Sequence, residues 1–386
     1  MKVLFLLNST KPDGSIISAM NLMAGLHQHD VECYVAQPDE QIDPVYEERM
    51  HGIVEQTFTV PLVPYVARQA TDCKTATQKL KHALKKNSFF WKLYTKSERH
   101  SLKGVVKVVQ PDIIHSNSGE LHAGYYAAKE ANIPHVWHLR EYQTKDFHHD
   151  ILPSFDKFCA MLLDSYVITI SQDLLSYFGL LESTKARCIY NGIMSECDAS
   201  LDFPKEPFFL CCSRISPEKG QDSVVRAFSS FYKENPEYRL VVAGNGNPGY
   251  IDCLKGLAKD LNCAEAVDFI GFQKDVKPLM RKARALVVAS VYEGFGRMTA
   301  EACFCGCVVI GRNTGGTKEI LNITGGLPYD EDNELLGQMR MVSKLTDEEY
   351  RNIALKAQTA AVNRFSNKQN TEAIFEFYQQ ILNSRT

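Results

Sequence analysis

Nowhere in the 386 residues do eighteen apolar residues follow one another, and Met1-Lys2 leads straight into the apolar run Val3-Leu4-Phe5-Leu6-Leu7. The first absence excludes a membrane-spanning helix, the second a secretory leader, and together they predict a cytoplasmic protein. An excess of one charge is missing too. Lys and Arg number 43 against 46 Asp and Glu, a net charge of −3, and so balanced a surface predicts no nucleic-acid partner. The twelve cysteines lack any ordered spacing. They sit in apolar surroundings such as Leu210-Cys211-Cys212, in a chain too long to need staples, which predicts reduced thiols. Cys303-Phe304-Cys305-Gly306-Cys307 has the look of a metal tract. Yet Cys303 falls in a helical pattern and Cys307 opens the strand 307–310, with no second ligand pair nearby, so no metal site is expected. What remains is a composition of 45% hydrophobic and 23% charged residues, that of a globular protein long enough for two domains.

The chain is organised around residues 289–302, Ala-Ser-Val-Tyr-Glu-Gly-Phe-Gly-Arg-Met-Thr-Ala-Glu-Ala. The apolar run 285–289 before it reads as a strand buried on both faces, and a helical pattern begins near Met298. Two glycines therefore stand where a strand ends and a helix begins. Such a junction offers unpaired N–H groups and the positive end of a helix dipole, which suits a phosphate. Glu293 and Glu301 lie eight positions apart, one in the loop and one within the helix, so both can face one crevice without neutralising each other. A carboxylate accepts two hydrogen bonds from a vicinal diol, and sugar hydroxyls would give this pair a purpose. A plain turn carrying a solvated Glu and a capping Glu is the alternative.

Ser290-x-x-Glu293-Gly294-Phe295-Gly296, with Glu301-Ala302 and Cys305-Gly306, closely resembles the signature of the family 4 retaining glycosyltransferases. The resemblance implies an α/β chain of GT-B architecture: two doubly wound Rossmann-like domains facing a central cleft, with a C-terminal helix crossing back to the N-terminal domain. It implies an acceptor-side domain over 1–195, a nucleotide-sugar domain over 196–367 and the returning helix over 368–386. By this resemblance Glu293 contacts the transferred sugar, the loop at Gly294, Phe295 and Gly296 faces the diphosphate, and Glu301 binds the ribose. Arg214 and Lys219, on the loop after the strand 208–212, grip the phosphates. His138, at the end of a central N-domain strand, touches the donor sugar. Ser290, Arg297, Gly244, Gly246, Gly315 and Gly316 complete the donor side, with Gly14 on the first N-domain loop, where the family usually has paired glycines and this chain has one.

Around these positions the residues read consistently. A strand 3–7, a helix 15–26 and a strand 31–36 describe a doubly wound sheet, whose ligands bind beyond the carboxyl ends of the strands. Residues 195–207 are acidic, hold two prolines and mark the boundary between domains. Residues 74–107 carry ten Lys or Arg against the single acid Glu98, with Phe89, Phe90, Trp91 and Tyr94 in the middle. This stretch suits an anionic membrane surface, and an ordinary helix with solvated cations is the alternative. Of the histidines 115, 122, 135 and 138, the last two lie three apart on a strand and point to opposite faces, which argues against one shared metal. Asn191-Gly192 reads as turn chemistry.

The expected activity is transfer of a sugar from a nucleotide diphosphate, UDP favoured, to an acceptor hydroxyl in surface polysaccharide or glycoconjugate synthesis. The acceptor would be a glycan or a lipid-linked glycan. The nucleotide sugar is the co-substrate and no cofactor or metal is required, because Arg214, Lys219 and the helix start can neutralise the diphosphate. Two alternatives stand beside it: a nucleotide-sugar-binding protein without turnover, and an NAD-dependent oxidoreductase using Gly244-x-Gly246-x-x-Gly249 with Asp268. The second has the fingerprint in the wrong place, since a strand-helix unit over 208–232 already precedes it in the domain.

Overall fold

Short apolar strands alternate with amphipathic helices along the whole chain, and that alternation forces crossover connections and parallel pairing. A computed structural model describes residues 1–69, 71, 75–86 and 95–384, with the backbone alone at residue 86. The chain divides into two units, Met1–Gly192 with Asn367–Thr386, and Ile193–Ser366.

In the first unit the strands are β1 (Lys2–Leu6), β2 (Glu32–Gln37), β3 (Gln56–Thr59), β4 (Val66–Arg68), β5 (Ile113–Ser116), β6 (His135–Leu139), β7 (His149–Ile151), β8 (Tyr166–Thr169) and β9 (Ala186–Cys188). Seven of them form a parallel sheet in the order β3-β2-β1-β5-β6-β8-β9, while β4 and β7 pair antiparallel apart from it. Strand order reverses between β1 and β5, so the loops after these two strands flank an opening at the carboxyl edge. The helix Asn367–Asn383 belongs to this unit. It buries Ile374, Phe377, Tyr378 and Ile381 in the cluster that holds Val3, Phe5, Met20 and Met23. Each such side chain contributes roughly 1.5–3 kcal/mol by leaving water. Its approach to the helix Gly14–His27 requires a glycine: a Cβ at Gly25 would lie 2.2 Å from Thr371 Oγ1.

The second unit contains β10 (Glu206–Cys212), β11 (Arg239–Ala243), β12 (Val267–Gly271), β13 (Ala283–Val288), β14 (Val309–Arg312) and β15 (Leu327–Tyr329). They form one parallel sheet in the order β12-β11-β10-β13-β14-β15, with the reversal between β10 and β13. The apolar run 285–289 is buried throughout, as predicted, while β13 begins two residues earlier and takes in the buried Arg284. The next helix starts at Arg297, one residue ahead of the expected Met298.

Part of the basic stretch is accounted for by packing. The helix Lys96–Val109 turns Leu102, Val105, Val106 and Val109 into the core and leaves Lys103 outside, paired with Glu130. Within the helix Ala76–Lys86, Leu80 and Leu84 are exposed, as are Lys79 and Lys81. Phe89, Phe90, Trp91, Tyr94, Lys74 and Lys92 lie outside the described residues. Among the described residues no helix is long and apolar enough to cross a membrane, every cysteine is free, and no three His, Cys, Asp or Glu side chains are grouped to hold a metal. Burial pushes the thiols of Cys303 and Cys305 up to about 12 and that of Cys307 to about 11.

Four buried histidines lie within this unit's interior. His122 is sandwiched between Tyr65 and Phe158, ring centroids 4.5 and 4.9 Å away. His135 meets the Ser116 hydroxyl at 2.9 Å. Burial pushes both down to about 3 from the ordinary 6.5. A base whose folded pKa is depressed binds fewer protons when native, so its contribution is complete above about pH 6.5 and is lost as the pH falls toward 3. Replacing His122 by Phe keeps a ring in the sandwich and removes one such proton. Denaturation curves between pH 6 and 4 should become shallower in their pH dependence by about 1.4 kcal/mol per pH unit. An unchanged slope would show that His122 is not a buried neutral imidazole.

Candidate functional site

Beyond the carboxyl edge of the second unit's sheet, the loops that follow β10, β11, β13 and β14 are laced together by backbone contacts. After β10, Pro217–Lys219 makes one tight turn that ends at Gly220, at φ +66°. A Cβ at Gly220 would stand 2.4 Å from the carbonyl oxygen of Ala289. The Val291 N–H donates to the Glu218 carbonyl at 3.0 Å, and the Gly316 N–H donates to the Glu293 carbonyl at 2.8 Å. Gly316 lies so close to the motif loop that a Cβ there would be 2.3 Å from the Phe295 carbonyl oxygen. Gly244 and Gly246 press in the same way on the carbonyls of Ser213 and Ile215, at 1.9 and 2.1 Å from a built Cβ. Their small size is thus required by this chain's own backbone.

That lacing brings charged groups together from distant parts of the sequence. Lys219 Nζ donates to Glu293 Oε1 at 2.5 Å, both side chains about one-fifth exposed. Arg297 Nε donates to Glu301 Oε1 at 2.7 Å, one helical turn apart, and an Arg297 NH2 group reaches the Ile193 carbonyl at 3.4 Å. Glu301 is 9% exposed; burial raises its carboxyl above the usual range while the Arg297 charge opposes the rise. Arg214 holds Glu218 at 2.7 Å and is itself 54% exposed. Each of the two carboxylates, Glu293 and Glu301, thus has its own cation.

Three helices open on these loops, Gln221–Tyr232, Arg297–Phe304 and Gly315–Thr324, and none receives a side-chain cap from its first residues. Gly296, at φ +93°, precedes the second of them. Within 3.2 and 3.3 Å of the position a Cβ would take on Gly296 are the hydroxyls of Thr317 and Thr299. Both threonines are fully buried, and among the described residues neither hydroxyl has a hydrogen-bond partner. Uncapped amides and two unsatisfied hydroxyls on one spot offer donors to an anion. Neither threonine stood out in the sequence, where each is one more polar residue in a helical pattern. Ser290 is buried, and Phe295 turns its ring into the core, edge-on to Phe365 at 5.5 Å. Gly294 follows Glu293 in the same loop, and Gly315 opens the third helix at φ +51°.

The first unit presents a second group. His138, at the end of β6, is fully buried, and its Nδ1 lies 3.2 Å from His115 Nε2 and 3.3 Å from an Arg140 NH2 group. Arg140 also donates to Asn117 Oδ1 at 2.9 Å and to Asn191 Oδ1 at 2.6 Å. Asn191 does more than form a turn, since its side chain is an anchor for this guanidinium. Glu141 follows, and burial, then the charges of Glu120 and Asp146, push its carboxyl well above the usual range. Gly14 is exposed, and the helix it opens is capped by the Asp13 carboxylate, which accepts from the N–H groups of Ser15 and Ile16. An anion at that helix start would meet a carboxylate already in place. His135 points away to Ser116, so β6 does send His135 and His138 to opposite faces.

Residues 196–359 match the family described as Glycosyl transferases group 1. An uncharacterised glycosyltransferase of Methanocaldococcus jannaschii is 26% identical over 259 residues, 60% of this chain and 65% of that protein. An N-acetylgalactosamine-N,N'-diacetylbacillosaminyl-diphospho-undecaprenol 4-alpha-N-acetylgalactosaminyltransferase of Campylobacter jejuni is 29% identical over 172 residues, 42% of this chain and 45% of that protein. These matches span less than two-thirds of the relatives' own lengths. The crystal structure of Anabaena HepE in complex with UDP and glucose superposes with a TM-score of 0.76 at 20% identity, covering 98% of this chain and 100% of that one. At that identity the likeness is one of fold, and the fold is GT-B, two Rossmann-like domains in one chain.

The lacing has a direct test. Gly316→Ala places a methyl group against the Phe295 backbone, which must move, taking the Glu293 carbonyl contact with it. Thermal unfolding should show a loss of roughly 1–3 kcal/mol. Gly337→Ala, in open space within a helix, should be neutral or better. Equal effects at both positions would mean that the loop contact is slack.

Proposed function

We propose that this chain, whose residues 196–359 match the glycosyl transferases group 1 family, transfers a sugar from a nucleotide diphosphate to an acceptor hydroxyl with retention at the anomeric carbon. One observation carries the reading. Lys219, Arg214 and Arg297 with Glu293 and Glu301 stand around a glycine-led, uncapped helix start where the Thr299 and Thr317 hydroxyls are buried without partners. Such a set provides for both halves of the donor: cations, amides and hydroxyls for a diphosphate, carboxylates for sugar diols.

In the proposed reaction the donor's diphosphate takes over Lys219 from Glu293, which leaves that carboxylate to accept from hydroxyls of the transferred sugar. Arg297 occupies one oxygen of Glu301 and the other accepts from the ribose. As the bond from the anomeric carbon to the phosphate oxygen breaks, negative charge grows on the departing oxygen, and Lys219, Arg214 and the helix-start amides stabilise it. The acceptor oxygen bonds to that carbon on the face the phosphate leaves, and its proton passes to the departing phosphate oxygen. No enzymic nucleophile and no metal take part. A uridine donor is favoured because HepE, of the same fold, was crystallised in complex with UDP and glucose. A lipid-linked glycan is the proposed acceptor: the Campylobacter relative is named for a diphospho-undecaprenol substrate, and Leu80 and Leu84 stand exposed on a basic helix, a face suited to anionic lipid at the inner membrane surface.

The oxidoreductase alternative loses support at two places. Gly244 and Gly246 are filled by the chain's own carbonyls, and Asp268 is held by Arg239 through two hydrogen bonds of 2.6 Å. A binding protein without turnover is told apart by experiment.

With UDP, GDP, ADP and their sugars, a ligand at a hundred times its Kd should stabilise the protein by about 2.7 kcal/mol in a thermal shift. The uridine series should give the largest shift. Arg214→Ala with Lys219→Ala should slow donor turnover on the order of a hundredfold or more, and Glu301→Gln should weaken donor binding. Tight binding with no release of nucleotide would make the chain a binding protein, and stabilisation by NAD alone would revive the oxidoreductase. Sedimentation with anionic liposomes should weaken when Lys79 and Lys81 become Glu; unchanged sedimentation removes the membrane surface.

A further inference from the structure

Deep in the first unit, one line of side chains runs from the C-terminal helix to the end of β6. Tyr378 OH lies 2.5 Å from His115 Nδ1, His115 Nε2 lies 3.2 Å from His138 Nδ1, and an Arg140 NH2 group lies 3.3 Å from that same Nδ1. Tyr378, His115 and His138 are fully buried, Arg140 is 6% exposed, and the Phe5 ring closes on His115 at 4.8 Å. His138 Nε2 is buried with no hydrogen-bond partner.

Elementary hydrogen-bond chemistry fixes every proton in the line. A guanidinium has donors only, so His138 Nδ1 must offer its lone pair to Arg140. Burial and the guanidinium charge keep the imidazole uncharged, and the one ring proton must then sit on Nε2. His115 Nε2 faces a lone pair and must donate to it. An uncharged His115 therefore has its own lone pair on Nδ1, which accepts from the Tyr378 hydroxyl. Burial, with the Arg140 charge in support, holds both histidines well below their usual range. From Tyr378 to His138 the donors point one way, from the helix toward β6, and the line ends on a single N–H that nothing among the described residues accepts.

We infer that Tyr378, His115 and Arg140 are positioning residues that hold His138 as a neutral imidazole with its proton on Nε2, aimed as a fixed hydrogen-bond donor at an oxygen of a bound ligand. The inference rests on the transferase reading only for the ligand's identity, a hydroxyl-rich sugar; the proton placement stands on the side chains alone. The C-terminal helix gains a purpose beyond burial. It supplies the first donor of the chain, and a neutral donor is what a sugar oxygen needs where an imidazolium would compete with Arg140 for the same space.

Two measurements test this on the whole protein. With 15N-labelled histidine, two-bond 1H–15N correlation should show His138, assigned by its loss in His138→Gln, with Nε2 protonated and Nδ1 bare from pH 8 to 6. Donor turnover in His115→Leu should then fall on the order of tenfold or more in kcat, with KM within about threefold. His115→Gln, whose amide nitrogen can donate from nearly the same place, should recover most of the loss. Tyr378→Phe keeps the packing and should show a smaller fall in kcat with no loss of Tm beyond that of a buried hydroxyl. A protonated Nδ1 on His138, or a His115→Leu protein as fast as the parent, overturns the inference. If the proton is found on Nε2 and the parent protein consumes no nucleotide sugar, it is the transferase reading that fails.

Discussion

Contact between backbones is what the second unit depends on most. Four loops after β10, β11, β13 and β14 approach so closely that a single methyl group at Gly220, Gly244, Gly246 or Gly316 would strike a carbonyl or its neighbour. Because no side chain intervenes, the loops cannot slide independently, and the groups they carry are held at short range. Lys219 reaches Glu293 across 74 positions of sequence through this contact. The glycines of the motif have two distinct purposes. Some, such as Gly296 at positive φ, let the chain turn into a helix; others let one loop lie on the next.

Electrostatic arrangement follows from that frame. Every carboxylate of the candidate site has a cation within hydrogen-bonding distance, Lys219 for Glu293 and Arg297 for Glu301. Pairs so placed carry little net energy where they are exposed, as at Arg214, and where they are buried, as at Glu301, desolvation offsets the attraction. Their chemical value lies elsewhere. The loops gather cations and carboxylates at one helix start before any ligand is present, so on the proposed reading neither set has to be assembled on binding.

The first unit follows a different economy. Burial disfavours charge there: His115, His122, His135 and His138 are held below their usual range, and Glu141 above it. Arg140 is buried too, and it donates to Asn117, Asn191 and His138. One permanent charge surrounded by neutral acceptors dictates the protonation of everything it touches. The proton order of the histidine line is a consequence of that single guanidinium.

Sequence alone determined the alternation of strand and helix, the two-domain fold, and the strand-to-helix junction at residues 289–302, because periodicity, glycine placement and unbroken apolar runs are local signals. It also separated His135 from His138, since a strand sends neighbours three apart to opposite faces. Tertiary structure alone decided that Lys219 meets Glu293, that Phe295 faces the core, that Gly244 and Gly246 are packed by the chain's own carbonyls, and that Asn191 anchors Arg140. It alone drew Tyr378 to His115, 263 positions apart, and left the Thr299 and Thr317 hydroxyls without partners. The physical reason is one of range: a propensity is written in a few adjacent residues, whereas a contact between loops is written in the order of strands across a sheet, which no short stretch of the chain records.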